Sequence, residues 1–316
     1  MSFLPDDSRT PKPEPRVEWE EPNCLLCGGS NWAPLVEAPD AAAGGRGLWF
    51  VVVQCQQCGL CFTNPRPTAA SIGRFYPSGY GPHRTRGPRR SRRWRQAFQQ
   101  LIGWSENERR VLPIQGKGRL LDFGCGGGSF LARMHAQGWQ VTGLDASAVA
   151  VNRVREVLRL PAAVGTLPYP QFETASFDVI TMWQVLEHVH QPLEVVREAY
   201  RLLSPGGRLI LSVPNIDSLP FRLFGSSWLS LDLPRHLTHF TPSTLHLMLE
   251  RAGFRVEPIR MVRHSSWLRA SARLSARRRH GKSWRRWLKG NAASRVVTWY
   301  GFLTQQSDCL LVIAER

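Results

Sequence analysis

The 316-residue sequence lacks any apolar run long enough to span a membrane, and no apolar segment follows its first residues, Met1–Asp7. A membrane-spanning helix needs about 20 consecutive apolar residues, and a secretory signal needs a shorter apolar segment near the start. We therefore expect a cytoplasmic protein whose seven cysteines stay reduced. Because 42% of the residues are apolar and 21% are charged, the sequence also lacks the composition of a disordered chain.

Acidic residues are scarce, since 24 Asp and Glu stand against 41 Lys and Arg, and the formal net charge is +17. The excess lies in two segments. Residues 84–95 hold seven Arg and no acid, and residues 251–290 hold thirteen Lys or Arg against one Glu. The rest of the chain is nearly neutral, so the basic charge concerns where the protein docks or which anionic group it meets, and not the whole surface.

Four cysteines near the N-terminus form two copies of the pattern C-x-x-C-G; they are Cys24, Cys27, Cys55 and Cys58. Two residues between the thiols let both sulfurs face one point, and the following glycine accepts the positive φ of a tight turn. Two such turns suit a tetrahedral, structural zinc ion, and the alternative is four unrelated buried cysteines. Cys61 is either a spare thiol or an alternative ligand. We predict a zinc ribbon over residues 23–65, preceded by a flexible tail over 1–22 that contains five prolines.

The rest of the chain divides into segments that differ in composition and in the spacing of their apolar residues. Residues 66–116 predict a basic connector that contains a helix over 95–112. From 117 to 262, apolar strand-like runs alternate with helix-like stretches, an order that predicts a parallel, doubly wound α/β sheet. The apolar run over 309–314 predicts that residues 304–316 add the last strand of the same sheet.

Residues 263–303 predict a basic helical insertion in which tryptophans are interleaved with arginines. Aromatic residues beside arginine suit an anionic membrane surface and equally suit nucleic acid. We favour peripheral contact with the inner membrane surface. The alternatives are an RNA-binding surface and a helical cover over the sheet edge.

A glycine-rich motif of the form D-x-G-x-G-x-G lies between the first predicted strand and helix of the sheet, at Asp122, Gly124, Gly126 and Gly128. Glycines let a backbone approach a ligand closely, and the N-terminus of the following helix is partly positive. Asp145 ends the next strand, where a carboxylate can accept both hydroxyls of a ribose. Together these residues predict a nucleoside-containing ligand at this end of the sheet.

With these motifs in place, residues 119–262 resemble the class I S-adenosylmethionine-dependent methyltransferases. The matching pieces occur in the family's order, and they are Leu120–Gly128, Asp145, 165–167, 177–180, the "LEHV" region 184–189 and the "PGG" turn at 205–207. The resemblance implies a Rossmann-like methyltransferase fold that binds S-adenosylmethionine. It implies that the cofactor contacts Asp122, Gly124, Gly126, Gly128, Asp145, Thr166, Leu167 and Gln184.

The flanking residues are similar to those of zinc-bearing sugar C-methyltransferases and of methyltransferases linked to surface-polysaccharide synthesis. In the sugar enzymes a Glu-His pair after the fifth strand supplies the base. Here His236 matches the base, but Arg235 stands where the Glu would be, and this departure puts sugar C-methylation in doubt. We expect His236 to abstract a proton and His188 to orient the acceptor, although each could be a hydrogen-bonded structural histidine.

Two further interactions with the acceptor are expected. Arg235 is predicted to pair with a phosphate or carboxylate of the acceptor, and Tyr76 or Tyr80 to close over it. The acceptor is expected to be a small molecule, such as a nucleotide- or lipid-linked sugar or a related metabolite. An RNA methyltransferase and a non-catalytic scaffold are the alternatives, although no nucleic-acid recognition motif is present.

Overall fold

The computed structural model describes residues 17–40, 47–76, 117–278 and 287–316. Within these ranges the strands are β1 (Trp19–Glu20), β2 (Trp32–Pro39), β3 (Trp49–Cys55), β4 (Cys61–Thr63), β5 (Arg66–Pro67), β6 (Arg119–Phe123), β7 (Gln140–Asp145), β8 (Ala162–Val164), β9 (Phe177–Trp183), β10 (Leu203–Pro214), β11 (Thr238–His239), β12 (Arg255–Val256), β13 (Arg260–Val262) and β14 (Cys309–Glu315). The helices are α1 (Ser129–Ala136), α2 (Ala148–Glu156), α3 (Pro192–Leu202), α4 (Leu219–Phe224), α5 (Pro242–Arg251), α6 (Ser265–Arg277) and α7 (Asn291–Leu303). Tyr80 and the predicted connector helix over 95–112 lie outside the described residues.

The largest sheet has the strand order β12-β14-β10-β9-β6-β7-β8, with β13 also paired to β14. The strands β10, β9, β6, β7 and β8 run parallel, and β14 is antiparallel to β10. This confirms the predicted doubly wound α/β sheet and its last strand. The carboxyl ends of β6, β9 and β10, at Phe123, Trp183 and Pro214, meet at one end of the sheet, where α/β proteins place their ligands.

Helices cover both faces of this sheet, because its strands are apolar on both sides. Phe130 of α1 and Val151 of α2 belong to the core on one face, and Val196 of α3 and Leu245 of α5 belong to the core on the other. The sequence specifies these helices locally as well. Ser147 caps α2, since its hydroxyl accepts a hydrogen bond from an amide in the helix's first turn at 3.3 Å.

A second sheet joins the predicted ribbon to the α/β part of the chain. Its strand order is β11-β4-β3-β2, so three strands come from the N-terminal unit and β11 comes from the segment after β10. Thr238 and His239 of β11 pair with Phe62 and Cys61 of β4. The two parts therefore share a sheet and do not stand as separate units.

Part of the predicted flexible tail over 1–22 is ordered, and the prediction is wrong there. β1 pairs antiparallel with β5, with Trp19 opposite Pro67. The Trp19 ring lies 5.9 Å from the ring of Phe50 and 6.5 Å from that of Phe75, centroid to centroid. A large aromatic ring gives this proline-rich segment enough apolar area to dock.

The predicted insertion over 263–303 contributes α6 and α7, which contact each other. α6 buries Leu268 and Ala272 in a third apolar cluster, together with Trp228 from the segment after β10 and Phe50 of β3. The insertion therefore packs on the segment between β10 and α5 and on the N-terminal sheet, close to the end of the sheet where ligands are expected.

Candidate active site

A glycine-rich loop connects β6 to α1 at the carboxyl end of the central sheet. Gly124, Gly126 and Gly128 have φ values of +73°, +51° and +74°, which residues with a Cβ rarely adopt. A Cβ on Gly124 would lie 2.3 Å from Cγ2 of Val185, so the loop passes directly against the segment after β9. α1 follows Gly128 with no side-chain cap, which leaves its first amides to water or a ligand.

Two buried aspartates at strand ends support this loop. The carboxylate of Asp145 accepts hydrogen bonds from the amides of Gly126 and Ser147, each at 2.8 Å. The carboxylate of Asp122 accepts a hydrogen bond from the hydroxyl of Thr181 on β9 at 2.7 Å. Asp145 thus holds the middle of the loop and keeps acceptor capacity for a ligand, whereas Asp122 braces the strands beneath the loop.

The turn after β8, which contains the predicted cofactor contacts Thr166 and Leu167, lies beside Asp145. The amide of Gly165 donates to the backbone carbonyl of Asp145 at 3.0 Å, which holds the turn after β8 against the end of β7. Thr166 in this turn is exposed, and Leu167 is buried in the core. The structure therefore brings the glycine loop, Asp145 and this turn to one end of the sheet.

Gln184 is oriented differently from the other predicted cofactor ligands. Its backbone has a φ of +58°. The side-chain nitrogen Nε2 lies 3.1 Å from the hydroxyl of Ser212 and 3.4 Å from Sγ of Cys309. The side chain therefore contacts β10 and β14, while its backbone begins the segment that packs on the glycine loop.

Two histidines converge beyond the carboxyl ends of β9 and β10. The ring of His188, in a 3-10 helix after β9, meets the ring of His236 edge to face, with 4.6 Å between centroids. Nδ1 of His236 lies 2.8 Å from the carbonyl of Ser230, and Nδ1 of His188 lies 3.0 Å from the carbonyl of Arg235. Since a carbonyl only accepts hydrogen bonds, each Nδ1 carries the proton and each Nε2 offers a lone pair.

Burial keeps both imidazoles neutral. Loss of water contact lowers the pKa of His188 to about 3, and the neighbouring His236 adds to this shift. Loss of water contact likewise lowers the pKa of His236 to about 4, although the carboxylate of Asp232, 4.0 Å from its Nε2, opposes the shift. At neutral pH both rings therefore present a lone pair and no positive charge.

The structure does not support the prediction that Arg235 binds an anionic group of the acceptor. Its side chain is fully buried, and all five N–H groups of its guanidinium have acceptors. Asp232 accepts two of these hydrogen bonds, Asp40 accepts one, and the carbonyls of Phe75 and Leu233 accept the other two. Arg235 therefore holds the histidine loop against the N-terminal unit.

Tyr76 and Glu187 complete the group around the histidines. The hydroxyl of Tyr76 lies 3.1 Å from Nδ1 of His188. Glu187 is fully buried, and its carboxyl group lies with one nitrogen each of His188 and His236 in a cluster whose atoms are within 4.8 Å of one another. The sequence prediction omitted Glu187, although the "LEHV" motif contains it.

A family model described as "Methyltransferase domain" matches residues 88–259, slightly more than half of the chain. The chain belongs to this family. It is an S-adenosylmethionine-dependent methyltransferase, as the resemblance of the glycine loop and its companions implies. The glycine loop and the predicted ribose-binding carboxylate at Asp145 are thus features of a methyltransferase core.

Curated relatives and solved structures agree with this family. This methyltransferase is 34% identical over 180 residues to a ubiquinone biosynthesis O-methyltransferase of Xanthomonas oryzae, covering 50% of this chain and 71% of the relative. A protein of the same description from Xanthomonas campestris is 34% identical over 173 residues, with the same coverage. The crystal structure of the [4+2]-cyclase SpnF is 22% identical, with a TM-score of 0.50, and covers 79% of this chain and 97% of that one. SpnF therefore shares the fold.

The four cysteines of the two C-x-x-C-G turns form a second cluster, apart from the group around the histidines. Cys24 and Cys58 have their sulfurs 3.4 Å apart, Cys27 and Cys55 have theirs 3.5 Å apart, and all four lie within 4.8 Å of one another. A tetrahedral zinc ion with Zn–S bonds of about 2.3 Å separates its sulfurs by roughly 3.8 Å, so the geometry fits zinc. Within the described residues this group does not include Cys61, whose sulfur lies 3.7 Å from the carbonyl of Gly59.

The methyltransferase also presents an apolar surface on α7. Val296, Tyr300 and Leu303 share one side of the helix by their spacing, and they are 69%, 59% and 72% exposed. Trp287, just before α7, is 81% exposed, whereas Trp299 lies under the guanidinium of Arg263 at 4.0 Å. Among the helices of the described ranges, none has the length and apolarity to cross a membrane.

Proposed function

We propose that this methyltransferase methylates an oxygen atom of a small-molecule acceptor, namely a nucleotide- or lipid-linked sugar or a related metabolite. The observation that carries the proposal is the pair of neutral imidazoles, His188 and His236, at the carboxyl end of the sheet. The segment that bears His188 packs on the glycine loop, so both histidines lie on the ligand-binding side. The relatives named as O-methyltransferases support oxygen as the methylated atom.

The glycine loop, Asp145 and the turn after β8 are the residues that would hold S-adenosylmethionine. The positive φ of the loop glycines lets the backbone approach a ligand, and the remaining acceptor capacity of Asp145 suits the hydroxyls of a ribose. When bound, S-adenosylmethionine supplies a methyl group on a sulfonium that becomes a neutral thioether as the new bond forms. We place Asp122 in this site as a support for the loop, because its carboxylate faces Thr181.

The acceptor hydroxyl must lose its proton when its oxygen is methylated, and we assign that proton to Nε2 of His236. The carbonyl of Ser230 holds the opposite ring nitrogen at 2.8 Å, and the carboxylate of Asp232 lies 4.0 Å from Nε2. Both groups stabilise the ring once it is protonated. His188, fixed by the carbonyl of Arg235, would orient the hydroxyl.

Labelled methyl transfer tests this function. The purified protein would be incubated with S-adenosylmethionine carrying a tritiated methyl group and, separately, with lipid, nucleotide-sugar and RNA fractions of cells. We expect label in a lipid or nucleotide-sugar product and a methyl ether in that product by NMR. Label confined to RNA, a new carbon–carbon bond, or no transfer in any fraction would contradict the proposal.

We further propose that the four cysteines of the two C-x-x-C-G turns hold one structural zinc ion. The two turns are nearly identical, since the amides of Gly28 and Gly59 donate to the carbonyls of Cys24 and Cys55 at 2.8 and 2.9 Å, and both glycines have a φ of +77°. Four thiolates leave no open coordination position, so the ion would stabilise the N-terminal sheet and take no part in catalysis.

We also propose that the protein is cytoplasmic and that α7 docks on the anionic inner membrane surface. Val296, Tyr300 and Leu303 offer an exposed apolar stripe, and Arg273 and Arg277 are exposed one turn apart on the adjacent α6. An apolar stripe beside basic residues favours an interface that carries both acyl chains and negative headgroups. Such docking would bring a lipid-linked acceptor close to the site.

Vesicle sedimentation at physiological salt tests the docking. We expect binding to vesicles that contain phosphatidylglycerol, weak binding to phosphatidylcholine alone, and at least a tenfold weaker affinity after Val296→Ser, Tyr300→Ser and Leu303→Ser are combined. Val149→Ser in α2 combined with Val157→Ser, directly after α2, is the matched control, since both valines are exposed, and it should bind as the unaltered protein does. Salt-sensitive binding to RNA without binding to vesicles would exclude the membrane as the partner.

A further inference from the structure

We propose that Ser271 of α6 is a positioning residue for His236, and that it acts through the short 3-10 helix Leu229–Leu231. The inference gives the basic insertion over 263–303 a task at the active site besides the docking proposed above. It rests on the proposed function, because the ring that Ser271 positions is the one to which the acceptor's proton is assigned there.

Ser271 fixes the first residue of this 3-10 helix. Its side chain is fully buried, and its hydroxyl accepts a hydrogen bond from the amide of Leu229 at 2.9 Å. The same hydroxyl donates to the carbonyl of Trp267, one turn earlier in α6, at 3.0 Å. Because its hydrogen is used on Trp267, the oxygen turns a lone pair toward the amide. The first N–H of a helix has no partner within that helix, so Ser271 supplies the acceptor that this one needs.

The other end of the 3-10 helix holds the ring of His236. The carbonyl of Trp228 accepts a hydrogen bond from the amide of Leu231 at 3.2 Å, which closes the single turn. The carbonyl of Ser230 lies beyond that bond and accepts the Nδ1 hydrogen of His236, with 2.8 Å between the two heavy atoms. Because the turn is short and its peptides are planar, a displacement of Leu229 displaces the carbonyl of Ser230 as well.

Packing and a second hydrogen bond keep α6 against this segment. Leu268 of α6 and Trp228 lie in the same buried apolar cluster. Arg278, directly after α6, donates from Nη1 to the carbonyl of Ser226 at 2.6 Å. Ser271 lies between Leu268 and Arg278 in the chain, so its hydroxyl meets a segment that α6 contacts on either side of it. The insertion therefore supports the part of the chain that holds the ring of His236.

The position of the Ser230 carbonyl decides which nitrogen of His236 can accept a proton. A neutral imidazole carries one proton, and a carbonyl beside Nδ1 keeps it there, so Nε2 presents the lone pair. Burial lowers the pKa of His236 to about 4, whereas Asp232 and then the Ser230 carbonyl oppose this shift and favour the protonated ring. Without the carbonyl, the proton would be shared between both nitrogens, and a ring with its proton on Nε2 could not accept the proton of the acceptor.

Nitrogen NMR of the full-length protein, labelled with nitrogen-15 histidine, tests the inference at neutral pH, because it reports which ring nitrogen carries the proton. The signals of His236 are identified as those lost in His236→Gln, and those of His246, exposed on α5, serve as a reference. We expect His236 to hold its proton on Nδ1 in the unaltered protein. In Ser271→Ala the amide of Leu229 loses its acceptor, so signals of the form with the proton on Nε2 should appear.

Ser275→Ala is the matched control. Ser275 is buried one turn further along α6, and its hydroxyl has no hydrogen-bond partner among the residues that the structure describes. Its replacement should therefore leave the signals of His236 unchanged. On the acceptor identified by labelling, kcat should fall about threefold to tenfold in Ser271→Ala and stay unchanged in Ser275→Ala. Both variants should retain the affinity for S-adenosylmethionine, which shows that each is folded.

The outcomes separate this inference from the proposed function. A proton on Nε2 of His236 in the unaltered protein overturns the inference whether or not the variants fold. Identical His236 signals in Ser271→Ala and the unaltered protein overturn it as well, and so does an equal change in Ser275→Ala. The expected signals without methyl transfer to any acceptor would support the positioning by Ser271 and count against the proposed function.

Discussion

Arg235 is neutralised inside the protein, and its charge is not available to a ligand. A guanidinium removed from water needs partners of opposite charge and full hydrogen bonding, because an unpaired buried charge costs several kcal/mol. Asp40 at 3.0 Å and Asp232 at 2.7 Å supply the charges, and two backbone carbonyls complete the hydrogen bonds. The residue therefore fixes the loop that carries His236.

Replacing Arg235 should destabilise the protein strongly. Arg235→Ala leaves Asp40 and Asp232 without their shared partner, so we expect the free energy of unfolding to fall by about 3–5 kcal/mol. Arg222→Ala removes a surface ion pair with Asp217 and should cost about 0–1 kcal/mol. Urea unfolding followed by circular dichroism measures both, and equal losses for the two variants would show that the buried contacts contribute nothing.

At the residue scale, the sequence is sufficient to predict residues whose geometry depends only on their neighbours in the chain. Spacing and residue type alone identify the glycines of the loop, Asp145 and the cysteines of the C-x-x-C-G turns. The joining of Glu187 and His188 to His236 is not predictable in this way, because it depends on where two distant loops meet. Arg235 was misassigned for the same reason, since its partner Asp40 is 195 positions away in the chain.

At the element scale, the pairing of β4 with β11 links the ribbon to the histidine loop. The hydroxyl of Thr63, the last residue of β4, donates to the carbonyl of His236 at 2.8 Å and lies 3.2 Å from Nε2 of His239. A strand of the N-terminal sheet thus holds the residue that we place in the chemistry. The three residues of β4 carry no information in their own sequence about the strand that pairs with them.

Replacing one cysteine of the C-x-x-C-G turns should weaken the pairing of β4 with β11. Cys55→Ser removes one of the four proposed zinc ligands, at the end of β3. If the site holds zinc as proposed, we expect zinc to fall from one per chain to none and the amides of β4 and β11 to exchange hydrogen faster. Cys61→Ser is the matched control, because Cys61 lies outside the four-cysteine group and its variant should keep zinc. Metal analysis and hydrogen exchange decide the question; full zinc in Cys55→Ser would contradict the four-cysteine site.

At the scale of the whole molecule, the alternation of strands and helices was sufficient to predict the central sheet. Local periodicity and capping define each element, and the right-handed connections of parallel strands leave few possible orders. The shared N-terminal sheet and the packing of α6 on Trp228 and Phe50 were not predictable, because both depend on contacts between distant segments. The N-terminal sheet also contacts the histidine loop, because the hydroxyl of Thr63 donates to the carbonyl of His236.

The most direct test of the site is the rate of methyl transfer by His236→Ala, compared with His246→Ala and the unaltered protein, on the acceptor identified by labelling. We expect kcat to fall by about 10²- to 10⁴-fold in His236→Ala, with the affinity for S-adenosylmethionine retained and His246→Ala unaffected. A kcat for His236→Ala within about threefold of the unaltered protein would show that the methyl transfer does not take place at this pair of histidines.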